Sequence, residues 1–152
     1  MLWRRRRQLK TAQLIEGAWP YFVGPTIFVA WRFGLEATFP AKIEGLLAAS
    51  GAAAAVLIGF LSTAKAVLLG LSSLDALQIL KKAKFLGLFH RYVFEAIWGG
   101  IAFLIFVTVG VFVAGDAGAP YWYQAGWVLI GAIVVAQYIR VTQLFFALLK
   151  KV

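Results

Sequence analysis

The sequence predicts an all-α integral membrane protein with four transmembrane helices, both termini cytoplasmic, and a basic cytoplasmic helix between spans two and three. Three observations predict it. The chain of 152 residues is 62% hydrophobic, with a mean hydropathy of +0.86, whereas a soluble domain is roughly 45–50% apolar. Four stretches approach or exceed the ~20 mostly apolar residues that a spanning helix needs. Eleven of the 15 Lys and Arg residues fall in three clusters that an even number of spans places on one side. The length suits a single four-helix domain over 1–152.

The first span is expected at about 18–34. It carries Pro20 and Pro25, tolerated in a membrane helix when neighbours satisfy the freed carbonyls, and Pro25 is expected to kink it. Before it stand Arg4, Arg5, Arg6, Arg7 and Lys10, and three further apolar stretches follow. The basic start therefore reads as the flank of a span and not as a signal peptide.

The second span, about 46–71, contains GAAAAVLIGFLSTAKAVLLG. Gly51, Ala55 and Gly59 recur every four residues, a spacing that lets helix backbones approach closely, either within the protomer or between protomers. Lys65 interrupts the same run, and a lysine at the bilayer centre costs roughly 2.5–3.5 kcal/mol on insertion scales. Its position near the end of the span lets its stem reach the headgroups.

The following segment, about 72–92, is too charged to cross. Ser72 and Asp75 resemble a capping box. Lys81, Lys82, Lys84 and Arg91 make it basic, suited either to anionic headgroups at the cytoplasmic face or to docking a cytoplasmic protein. Spans three and four follow at about 96–114 and 124–149, and Lys150 and Lys151 close the chain. The two remaining connections, 36–45 and 115–124, hold one basic residue, Lys42. The positive-inside rule puts the basic side, with both termini, in the cytoplasm. Trp31, Tyr121, Trp122, Tyr123 and Trp127 mark the opposite interface, and Trp3, Trp19 and Trp98 the basic one.

Composition excludes much chemistry. There is no cysteine and a single histidine, His90, so thiolate chemistry and histidine metal clusters are out. No glycine-rich phosphate loop and no catalytic constellation is found. No enzymatic activity, metal or cofactor is expected. The net charge of +9 reads as topology signal and lipid contact, without direct nucleic-acid binding.

The depth of four ionisable residues stands out. Glu16, Lys65, Glu95 and Arg140 come one from each helix, at or near its span, and are expected in one layer of the inner leaflet. Two acids and two bases sum to zero, as a low-dielectric site requires. The layer is either a static network fixing helix register or a rearrangeable gate on a polar pathway.

The span-two sequence GFLSTAKAVLLGL, followed by LQILKKAKFLGLFHRYVFEAI leading into span three, resembles small four-span prophage and bacterial membrane proteins of phage defence. The membrane subunit of lambda Rex exclusion is of this kind and, more loosely, so is that of Kiwa-type defence. The local anchor is roughly 57–97. The resemblance implies a homo-oligomer working with a cytoplasmic partner, as an infection sensor or a channel-forming effector. A membrane anchor or scaffold for a cytoplasmic protein, and a holin-like pore former, are the competing expectations.

Overall fold

The computed structural model describes residues 2–34, 39, 43–70, 85–114 and 118–149; within these, the side chains of 2–16, 68–70, 85, 86 and 147–149 lie outside the description. They form four helices, α1 (Leu2–Phe33), α2 (Glu44–Gly70), α3 (Phe85–Val113) and α4 (Tyr121–Leu149). Among the described residues there is no strand. Three of the helices are long and apolar enough to cross a membrane: Glu44–Val67, Gly87–Val113 and Tyr121–Phe146, with mean hydropathies of 1.9, 2.4 and 1.7. α1 is not among them, since its first half is basic and its second holds two prolines, two tryptophans and Gly24.

Two boundaries differ from expectation. α1 is one helix from Leu2 and runs through Pro20 and Pro25. α3 begins at Phe85, so 85–92 of the expected cytoplasmic helix are the first turns of α3 itself. The rest of that segment, with Lys81, Lys82 and Lys84, lies outside the described residues.

The helices pack in the order α2, α3, α4, α1. Neighbours run antiparallel. Along α2 and α3, Gly51 lies at Val107 and Ile58 at Gly100. Along α3 and α4, Gly110 lies at Tyr123, Phe103 at Gly131 and Gly99 at Gln137. Along α1 and α4, Gly24 lies at Ile133 and Gly17 at Arg140.

The seams share one rhythm. α2 turns Leu47, Gly51, Ala54, Ile58 and Leu61 toward α3. α3 uses Phe89, Val93, Ala96, Gly100, Phe103, Val107 and Gly110. The steps alternate between four and three, the seven-residue repeat that keeps two helices facing each other when they pack at a shallow left-handed angle. Lipid tails are as apolar as leucine, so close packing and polar contacts hold such helices together. The large side chains left outside, such as Phe22 at 70% and Phe112 at 85% exposure, suit a surface that meets lipid.

The expected small-residue series in α2 divides between two faces. Gly51 faces α3, 3.5 Å from Val107 Cγ1 for an added Cβ. Ala55 is exposed, and an added Cβ on Gly59 meets nothing within 4 Å. A four-residue step drifts around a helix that turns every 3.6 residues.

Local chemistry sets the turns. Gly118 takes φ 90°, a left-handed conformation that side chains disfavour. Pro120 then accepts from Gln124 N–H at 3.2 Å, and Gln124 Nε2 donates back to Ala119 O at 2.7 Å. At this end an aromatic cluster ties α1 to α4: Trp31 stacks on Tyr121 at 6.2 Å, and Phe39 meets both Trp31 and Trp127 edge-on.

α1 touches α4 along a narrow seam of Gly17, Pro20 and Gly24. A Cβ on Gly24 would stand 2.5 Å from Ile133 Cγ1 and 3.2 Å from Leu129 O. The isoleucine can turn away, but the backbone carbonyl cannot. Gly24→Ala is expected to cost about 1–3 kcal/mol as an overpacking change, read as a lower unfolding midpoint in detergent. An unchanged midpoint would mean that α1 is not seated through Gly24.

Candidate functional site

α4 carries two polar residues in its most apolar surroundings. Gln137 and Arg140 are three residues apart, so they share a face, and each is 4% exposed. α3 brings Tyr92, Glu95 and Gly99 to that face at steps of three and four. α1 contributes Gly17 and Tyr21. The layer lies about 15 Å inside the basic ends of α3 and α4, at ~1.5 Å rise per residue.

Arg140 is the hub. Its Nη2 donates to Glu95 Oε2 at 2.7 Å. Its Nη1 donates to Gly17 O on α1 at 2.9 Å. Its guanidinium carbon stands 3.8 Å from the Tyr92 ring centroid, a desolvated cation–π contact of the kind that contributes about 2 kcal/mol. One side chain on α4 thus joins three helices. An isolated buried charge would be far too costly, and Glu95 supplies the compensation.

Glu95 has a second arginine. Arg91, one turn earlier, donates from Nε to Glu95 Oε1 at 2.9 Å. The Arg91 side chain is 74% exposed and that of Glu95 24%, against 4% for Arg140. The carboxylate therefore bridges an arginine in the interior and one at the surface.

Gln137 completes the layer. Its Nε2 donates to the Tyr21 hydroxyl at 3.3 Å. Its Oε1 lies over Gly99, where an added Cβ would overlap it. Glycine at 99 is what lets the amide fit between α3 and α4. Gln137 Oε1 and Arg140 Nε are both buried without a hydrogen-bond partner.

The structure thus brings Glu95 and Arg140 together, two of the four residues expected to share a layer. Lys65 is half-buried, one turn beyond Leu61, which packs with Phe89, Tyr92, Val93 and Ala96. Among the described residues Lys65 has no ion pair; both Glu95 oxygens go to arginines. The Glu16 side chain lies outside the described residues. Arg91, expected at a lipid or partner surface, is exposed and also part of the site. Gly17, Tyr21, Tyr92 and Gln137 were missed. The Gln-x-x-Arg pair at 137 and 140 was a legible signal for one of them; a backbone carbonyl on another helix leaves none.

No family model matches the chain, and no curated protein or solved structure is significantly similar to it.

Proposed function

We propose that the chain is a non-enzymatic, homo-oligomeric subunit of the bacterial inner membrane. In this reading it works with a cytoplasmic partner in phage defence, as an infection sensor or channel-forming effector. The basic ends face the cytoplasm and α1 is the fourth span. The observation that carries the reading is the sharing of Glu95 between buried Arg140 and exposed Arg91.

A conformational switch needs an element whose two arrangements a ligand can favour differently. Glu95 is such an element. A partner acting on the exposed Arg91 end changes how much of the carboxylate is left to Arg140, and Arg140 holds α1 through Gly17 O.

The homo-oligomer is supported by the outer face of α2. Ala48, Ala52, Ala55, Gly59, Ser62 and Ala66 are all exposed and follow the same four-and-three rhythm as the internal seams. Small side chains at that spacing favour close helix association in lipid. The defence setting rests on the sequence resemblance around 57–97.

Whole-cell potential-dye fluorescence tests the reading. The chain expressed with its neighbouring genes is expected to depolarise cells on infection, and Glu95→Gln to depolarise them without infection. Stable potential in both cases would remove the channel form. Charge reversal of Lys81, Lys82 and Lys84 then separates the anchor reading: it predicts loss of partner recruitment with membrane insertion intact.

A further inference from the structure

α3 meets α2 at Gly100 and Val107, and α4 at Gly99 and Phe103. Arg91, Phe94 and Trp98, three and four residues apart, form a third stripe that no described helix covers. Phe94 is 52% and Trp98 56% exposed, with ring centroids 6.0 Å apart. The Arg91 side chain is 74% exposed. Its Nε–H is given to Glu95 Oε1 at 2.9 Å, and its Nη1 and Nη2 have no partner among the described residues. That free edge presents parallel N–H donors, the fork that matches two oxygens of a phosphate.

The depth of the stripe agrees. α3 ends at Val113 and the next helix begins at Tyr121. Irregular backbone does not face lipid within the hydrocarbon, so the hydrocarbon along α3 stops by Val113. Its ~30 Å take about 20 residues at ~1.5 Å each, and counting back reaches about Phe94. Arg91 lies one turn further out, beside the phosphates. Phe94 and Trp98 lie at the hydrocarbon edge, where tryptophan is favoured.

We propose that the Nη edge of Arg91 binds the phosphodiester of one anionic phospholipid, whose acyl chain lies along Phe94 and Trp98. Arg91, Glu95 and Arg140 sum to one positive charge, so an anionic lipid completes the group. A zwitterionic lipid brings its own cation to a site that is already positive. Glu95 uses the Nε side of the guanidinium, so the lipid and the Glu95 bond coexist. The lipid sits at the end of the Glu95 bridge where the proposed partner acts, so the two compete. The site itself needs only that α3 spans a bilayer.

Phosphorus-dephased 15N solid-state NMR on arginine-15N-labelled protein tests it. The Arg91 Nη signals are assigned by their loss in Arg91→Lys and, independently, in Arg91→Gln. In vesicles of phosphatidylglycerol and phosphatidylcholine they are expected to dephase several-fold faster than the Arg140 Nη signals. In pure phosphatidylcholine, and in maltoside micelles with inorganic phosphate, the dephasing should fall to the Arg140 rate. Arg91 dephasing no faster than that of Arg140 in the mixed vesicles overturns the proposal. Equal dephasing in pure phosphatidylcholine overturns the selection for an anionic lipid, and equal dephasing in the micelles makes the ligand free phosphate. None of these readings involves conductance or infection, so failure here is distinct from failure of the channel reading.

Discussion

Glu95→Gln is expected to destabilise the fold more than Arg140→Met, although the two residues form one ion pair. Removing one partner of a buried pair costs about 3–5 kcal/mol when the other charge is stranded. Glu95→Gln strands Arg140, which is 4% exposed and has no other described acid. Arg140→Met leaves Glu95 with Arg91 at 2.9 Å and with a side chain 24% exposed. Its loss should be nearer the ~1–3 kcal/mol of an unmade buried hydrogen bond. The double variant should resemble Arg140→Met alone, so the coupling should be as large as the Glu95→Gln loss itself, about 3–5 kcal/mol. Denaturant titrations of the four proteins in detergent micelles check this. Equal losses in both single variants, adding fully in the double, would show that the pair is not a compensated unit.

The second large effect is expected at the other end of the same seam. Tyr123 is 0% exposed. Its ring stacks on Phe106 with centroids 4.8 Å apart and planes 1° from parallel, and its hydroxyl donates to Phe106 O at 3.2 Å. The ring enters the slot that Gly110 leaves open, and a Cβ there would overlap the Tyr123 hydroxyl and ring tip. The tyrosine has nowhere to turn. Overpacking costs about 1–3 kcal/mol, occasionally more, while alanine gains about 0.8–1.0 kcal/mol over glycine in helix propensity. The clash wins, and Gly110→Ala should be destabilised by about 2 kcal/mol net. Tyr123→Leu in that background should recover more than Tyr123→Phe, because phenylalanine keeps the overlapping ring carbon. The unfolding midpoint in detergent reads both; a stabilised Gly110→Ala would refute the slot.

How much of this was legible follows from the physics of each element. α2 and α4 begin and end within three residues of the spans expected at 46–71 and 124–149, because long apolar runs with a single charge inside, Lys65 or Arg140, leave little choice. α3 begins eleven residues before the expected 96. Arg91 read as a residue outside lipid, whereas it pairs with Glu95 on one helix face. The seven-residue seams were hidden because alanine, leucine and valine fill both faces of α2 and α3, which erases hydrophobic periodicity. Gly51, Ala55 and Gly59 were visible as small residues, but their distribution between faces was not.

The site was half legible. Ionisable residues at bilayer depth are rare enough to stand out, and Glu95 and Arg140 did. What joins them to α1 did not. That seam rests on Gly17 O, on glycines that admit a neighbour, and on a Tyr21 hydroxyl. None of these carries a compositional signal. The packing order was equally hidden, since chain order suggests α1 beside α2, while α1 pairs with α4.

That pairing has a consequence for biogenesis. A chain is made from its N-terminus, so α1 leaves the ribosome well before its seat, from Leu129 to Arg140. The least apolar helix must wait for that seat while α2 and α3 are synthesised. Until α4 arrives, the Gly17 carbonyl and the Tyr21 hydroxyl have none of their final partners. Assembly then has a defined late step, the seating of α1 against α4. A nascent chain stopped before residue 121 would hold the α2–α3 hairpin together and leave α1 adrift, exposed to quality-control proteases.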